Sequence, residues 1–221
     1  MDRAEMTLFT AMENKGKNMI KNIVFDVGKV LVDFDWRGYM DTLGYSPEVY
    51  EKVANATVLS QLWNEFDRSR MSDEELLKGF VDQAPDCEAE IVYFWNNMGN
   101  CIKQYDYACS WIRSFQELGY GVYLLSNYSR RMYSQTIEEL SFVEDVDGAI
   151  FSYEVEAVKP EREIYESLFQ KYGLEPTECV FLDDNRANII AANELGMATI
   201  LFHTKSQAEE ELKSLGVGLA E

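Results

Sequence analysis

The chain has 221 residues, 47% of them hydrophobic and 27% charged, enough apolar side chain to bury a sizeable core without disulfides or a structural metal. Its 39 acidic residues against 20 basic ones leave a formal charge of −19, a field that repels nucleic acid and anionic membrane and favours solubility. Cys87, Cys101, Cys109 and Cys179 lack C-x-x-C spacing and His203 is the single histidine, which excludes zinc-finger and two-histidine metal sites and suits reduced thiols in a cytoplasmic protein.

Residues 1–19 are mixed and polar, without the apolar segment of roughly 7–15 residues that a secretory leader needs. They read as a disordered extension ahead of the fold. No later run approaches the roughly 18 apolar residues of a membrane helix. Ile23–Phe25 is the first predicted strand, and Asp26 and Gly28 follow it. An aspartate at a strand's carboxyl end lies where open α/β sheets bind ligands, although such residues also serve as caps and turns. Gly28 is small enough to let the backbone turn sharply there.

Over residues 36–105 the strand signal fades and helical segments succeed one another: Glu48–Ala54, Leu59–Arg68, Asp73–Val81 capped by Ser72, and Glu88–Met98, punctuated by Pro47 and Pro85. This predicts a helical domain inserted after the first strand, where a lid belongs. The second strand, Gly121–Leu125, ends in Ser126 and Asn127, whose polar groups could grip an anion. After a third strand at Ala149–Phe151, Lys159 precedes a helix over Pro160–Tyr172 with an apolar stripe of Ile164, Leu168, Phe169 and Tyr172. The helix dipole disfavours a lysine at that point, so an anion nearby would explain it.

The fourth strand, Val180–Leu182, runs into Asp183 and Asp184. Two adjacent carboxylates at a buried sheet edge are costly without a cation, and hard oxygen ligands suit Mg²⁺. A helix over Ala187–Leu195 and a fifth strand at Thr199–Phe202 complete the alternation. The fold class is therefore α/β, a doubly wound parallel Rossmann-like sheet, with residues 20–35 and 106–221 as its core and residues 36–105 as a helical cap.

Asp26, the inserted segment, Ser126-Asn127, Lys159-Pro160 and Asp183-Asp184 follow one another in an order that resembles the haloacid dehalogenase superfamily, over about residues 20–204. The resemblance implies a helical-cap phosphatase acting on a small phosphorylated metabolite, with oligomeric state left open. It makes Asp26 a nucleophile that forms an aspartyl-phosphate, places Ser126 and Asn127 on the phosphoryl group, and has Lys159 steady the charge of both. It also implies Mg²⁺ held by Asp26, the Gly28 carbonyl and Asp184, with Asp183 in support.

One position departs from the family pattern. Its phosphatases usually carry a second aspartate two residues after the nucleophile, as general acid and base, and here Gly28 stands there. A missing acid forfeits roughly 10²–10⁴ in rate on a poor leaving group. The expected substrate is therefore a sugar 1-phosphate or another ester with a stable leaving anion. The start Asp26-Val27-Gly28-Lys29-Val30 resembles a glycine-bearing subgroup that includes sugar-1-phosphate phosphatases. Asp33, Asp35 or a cap residue are alternative proton sources. Trp63, Asn64, Arg68 and Arg70 of the cap, and Arg130 and Arg131 beyond Ser126, are candidates around the substrate. A metal-independent 2-haloacid dehalogenase also lacks the second aspartate, but its carboxylate substrate would be repelled by Asp183 and Asp184. A catalytically silent phospho-ligand or partner-binding protein is the third alternative, opposed by the intact Asp26, Lys159 and acidic pair.

Overall fold

The computed structural model describes residues 19–219; apart from Met19, the extension expected over residues 1–19 lies outside them. The five apolar runs form one parallel sheet from β1 (Asn22–Phe25), β4 (Gly121–Ser126), β5 (Gly148–Phe151), β6 (Cys179–Asp183) and β7 (Ala198–Leu201), in the order β5-β4-β1-β6-β7. Side chains alternate across it, as the period of a strand requires. Ile23, Phe25, Leu124 and Leu182 join a large core on one face with Trp111, Ile112 and Phe115 of α6 (Ala108–Glu117). Val24, Leu125 and Phe181 pack on the other face against Ile164, Tyr165 and Leu168 of α9 (Arg162–Tyr172). Both faces are covered, so the strands read as unbroken apolar runs.

β1 lies between β4 and β6, with Phe25 in register with Leu124 on one side and Leu182 on the other. The chain winds from β1 to β4 and β5, then crosses back to β6 and β7, so β1 marks the topological switch point. Ligand crevices of open sheets form at such points.

Two short strands lay outside the predicted pattern. β2 (Val32–Phe34) and β3 (Ile102–Gln104) pair antiparallel, Val32 opposite Gln104 and Phe34 opposite Ile102. Between them run α1 (Trp36–Thr42), α2 (Pro47–Ala56), α3 (Leu62–Arg68), α4 (Asp73–Gln83) and α5 (Glu88–Asn97). α1 is likewise unannounced by periodicity, and α3 begins three residues later than the pattern suggests. Trp63, Phe66, Phe80 and Trp95 give this segment an aromatic core, with the Trp63 and Phe66 ring centroids 4.9 Å apart and those of Phe66 and Trp95 5.3 Å apart. α4 starts in a capping box between Ser72 and Glu75.

Pro160 does not open α9. The helix begins at Arg162, with Glu161 extended at its N-cap, so Lys159 sits in the preceding loop and its charge is answered by side chains instead of a helix end. α7 (Arg130–Gln135), α8 (Ser152–Val155), α10 (Arg186–Glu194) and α11 (Lys205–Ser214) complete the described helices used below. None of the described helices is long and apolar enough to cross a membrane.

Candidate active site

Asp26 follows the last residue of β1, and its backbone N–H donates to the Leu182 carbonyl at 2.9 Å, continuing the ladder towards β6. This fixes the carboxylate over the ends of β4 and β6. Its Oδ1 accepts from the Ser126 hydroxyl at 2.8 Å and from the Val27 N–H at 2.7 Å, and lies 2.8 Å from the Lys159 ammonium. The same ammonium donates to Asp183 Oδ2 at 2.7 Å. All four side chains are buried, Asp183 completely.

Asp183 is fully engaged. Its Oδ1 accepts from the Asn185 N–H at 2.7 Å, and the Asn188 amide donates to both of its oxygens at 3.1 and 3.0 Å. The adjacent Asp184 is half-buried, with the largely exposed Lys29 ammonium 3.6 Å away. Asn127 binds Lys159 from both sides: its Oδ1 accepts the Lys159 N–H at 2.7 Å and its Nδ2 donates to the Lys159 carbonyl at 3.0 Å. The Asn127 side chain therefore anchors the lysine loop.

Charge is unbalanced here. Oxygens of Asp26, Asp183 and Asp184 come within 4.8 Å of one another, against one buried lysine and a loosely placed Lys29. Burial and the neighbouring Asp183 and Asp184 charges push Asp26 up to about 7, with Lys159 pulling the other way. Burial, then Asp183, also raises Asp184. Burial alone would lower the Lys159 pKa, yet Asp183 and Asp26 outweigh it and raise it. A site with surplus negative charge and hard oxygen donors fits a divalent cation, with Asp184 the carboxylate least taken up by protein partners.

The turn after β1 corrects the expectation for Gly28. The left-handed backbone belongs to Lys29 (φ 59°), and a Cβ on Gly28 would meet no atom within 4 Å. The glycine is thus not forced by the turn; what it does is leave space open. That space adjoins a cavity of about 140 Å³ lined by Gly28, Phe34, Trp63, Asp67, Asn127 and Tyr128, among others.

Asp67, in the last turn of α3, is a site residue that sequence reasoning missed. A signal was present, since an acid at a helix C-terminus opposes the dipole. Burial, countered by Lys159 and reinforced by Asp26, pushes Asp67 up to about 8. Among the other candidates, Trp63 lines the cavity and also packs on Phe34 and Phe66. Asn64 is exposed. Arg68 pairs in bidentate fashion with Glu161, and Arg70 lies 3.5 Å from Glu156. Arg131 stacks on Trp95 and reaches Asp73 at 2.8 Å, while Arg130 lies over Tyr153. These arginines tie the helical segment to the sheet domain or cover an aromatic ring. His203 is exposed beyond β7, where its N–H donates to Gln207.

A family model described as haloacid dehalogenase-like hydrolase matches residues 20–196. A sesquiterpene phosphatase of Aspergillus oryzae is 26% identical over 80% of this chain and 87% of its own. A D-ribitol-5-phosphate phosphatase of Bacteroides thetaiotaomicron is 26% identical over 88% of this chain and 97% of its own. A crystal structure of a HAD family enzyme from Bacteroides thetaiotaomicron, in complex with magnesium and inorganic phosphate, superposes with a TM-score of 0.66 at 22% identity, covering 86% of this chain and 98% of that one.

Proposed function

The chain belongs to the haloacid dehalogenase-like hydrolases, and we propose that it is a Mg²⁺-dependent phosphomonoester hydrolase acting on a small sugar phosphate through an aspartyl-phosphate on Asp26. One observation carries the reading: a buried nucleophile at the switch point, fixed by Ser126 and Lys159, within a carboxylate cluster of surplus negative charge. The phosphatases among its relatives support the reaction class.

In this reading Asp26 attacks phosphorus, forming a mixed anhydride as the alcohol departs, and water then cleaves the anhydride. Val27 N–H, Ser126 and Lys159 hold the carboxylate in a fixed orientation, which removes the entropy of aligning it. Lys159 neutralises charge on the phosphoryl oxygens as it already does on Asp26 and Asp183, and Asn127 keeps the lysine loop in place. Asp26, the Gly28 carbonyl and Asp184 would hold Mg²⁺, with Asp183 supporting through Lys159; when bound, the ion supplies charge neutralisation at the phosphoryl group. The helical insertion at residues 36–105 acts as the cap and sets the leaving group. Position 28 itself offers no acid, so unless another side chain supplies the proton the substrate would be one with a stable leaving anion, such as a sugar 1-phosphate.

The rival dehalogenase reading requires a carboxylate substrate beside Asp26, Asp183 and Asp184, with one buried lysine to answer four negative charges. Phosphate release from sugar 1-phosphates, sugar 6-phosphates and aryl phosphates, with Mg²⁺ or EDTA, tests the proposal alongside Asp26→Asn. Turnover that needs both Mg²⁺ and Asp26 supports it. Halide release from 2-haloacids without metal would replace it, and inactivity in both assays would favour the silent binding protein.

A further inference from the structure

Gly28 leaves the proposed reaction without a proton donor at that position, and Asp33 and Asp35, the next carboxylates along the chain, each already have a partner. Asp35 is exposed and committed as the N-cap of α1, accepting the Gly38 N–H at 2.8 Å. Asp33 stands on β2 opposite Lys103, beside Tyr105.

Asp67 is placed differently. It lines the same cavity as Gly28 and Asn127, walled by the rings of Phe34, Trp63 and Tyr128. A side chain at position 28 would enter open space, and the carboxyl bordering that cavity belongs to Asp67. Three contacts hold its segment on the sheet domain. Ser152 Oγ donates to the Asp67 carbonyl at 2.7 Å while accepting the Tyr128 N–H at 2.8 Å. Arg68 grips Glu161, two residues beyond Lys159. The Arg130 N–H donates to Ser69 Oγ at 3.1 Å. The Asp67 carboxyl itself makes no hydrogen bond or ion pair among the described residues.

We propose that Asp67 is the general acid of this enzyme, delivering a proton to the leaving oxygen from the helical insertion in place of the carboxylate absent at position 28. The inference rests on the phosphatase reading. As the Asp26–phosphorus bond forms and the bond from phosphorus to the alcohol oxygen breaks, the Asp67 proton passes to that oxygen. The products are a neutral alcohol and an Asp67 carboxylate. The carboxylate then takes a proton from the water that attacks the aspartyl-phosphate, which releases inorganic phosphate and restores the acid.

The electrostatics agree with this geometry. The charged groups facing Asp67 are Lys159 and Asp26, and Tyr128 is a further titratable neighbour, kept neutral by its own burial. Burial dominates the rise, which favours the protonated form that a general acid needs. A proton donor also widens the substrate class: ordinary alkyl phosphates, including sugars phosphorylated on a primary alcohol, become accessible alongside sugar 1-phosphates.

The test is Asp67→Asn, which keeps shape and removes the acid. With a sugar 6-phosphate, kcat/KM should fall roughly 10²–10⁴-fold, and with 4-nitrophenyl phosphate about tenfold at most, because nitrophenolate leaves unprotonated. Asp67→Asn combined with Gly28→Asp should recover much of the sugar-phosphate rate. Equal losses on both substrates, or an unchanged sugar-phosphate rate, would overturn the assignment. The phosphatase reading is judged separately, by whether Asp26→Asn abolishes both activities. A carboxyl-¹³C titration of Asp67 provides a readout independent of substrate: an apparent pKa near 8 supports the acid, and one in the ordinary carboxylate range overturns it.

Discussion

Replacing Lys159 with methionine keeps a side chain of similar length and removes the buried charge between Asp26 and Asp183. Its ammonium lies 2.8 Å from one carboxylate and 2.7 Å from the other, with 1% of the side chain exposed. At an effective dielectric of about 20, each pair attracts by roughly 6 kcal/mol, and desolvation of the charges offsets most of it. Deleting one member leaves carboxylates buried without compensation, at a cost of about 3–5 kcal/mol. At about 2–4 °C per kcal/mol for a chain of this size, Tm should fall by about 6–20 °C. Lys21, 2.7 Å from Glu178 but with 57% of its side chain exposed, provides the surface comparison, and Lys21→Met should cost less than about 1 kcal/mol. Thermal unfolding followed by circular dichroism at neutral pH, without divalent cations, makes the comparison. A Lys159→Met Tm within about 2 °C of wild type would refute the view that this lysine holds the cluster together.

Ser126→Ala removes the hydroxyl that donates to Asp26 at 2.8 Å; a hydrogen bond to a charged group is worth about 1.5–3 kcal/mol, so kcat/KM should fall roughly 10- to 100-fold in a phosphate-release assay. Mg²⁺ at about a hundred times its Kd should stabilise the wild type by about 2.7 kcal/mol, and Asp184→Asn should lose most of that increment in a thermal scan; a Tm indifferent to Mg²⁺ counts against the cation site. Folding raises the Asp67 pKa from the ordinary 3.8 to about 8, so its contribution to stability is fully present at low pH and is lost as pH climbs through that interval. Asp67→Asn should therefore unfold near the wild-type temperature at the acid end and progressively above it towards the alkaline end, and a gap that stays constant would mean that Asp67 titrates as an ordinary carboxyl.

Much of the site could be read from the chain because it is built on strand ends. Asp26, Ser126 and Asp183 each terminate or follow an apolar run, and strands buried on both faces produce such runs regardless of what packs on them. The paired strands β2 and β3 have three residues each and owe their stability to one another across the whole insertion, so no local pattern marks them. Lys159 stands out in the sequence as a lysine at a helix start, but the helix begins at Arg162 and the lysine's partners are two carboxylates brought in by β1 and β6. Asn127 reads as an anion ligand in a one-dimensional view, and only the fold shows its amide clasping the Lys159 main chain. Asp67 is hardest to see, because helical periodicity assigns it to a surface turn. Ser152, Glu161 and Arg130, all distant in sequence, carry its segment onto the crevice.

Acid-quenched single-turnover digestion tests the covalent role of Asp26 most directly. Enzyme in excess over a turned-over sugar phosphate, quenched within the first turnover and digested, should yield the Asp26-containing peptide carrying one phosphoryl group that hydroxylamine removes. Asp26→Asn should give none. Phosphate release at full rate by Asp26→Asn, or wild-type turnover with the phosphoryl group trapped on another residue, would contradict the account.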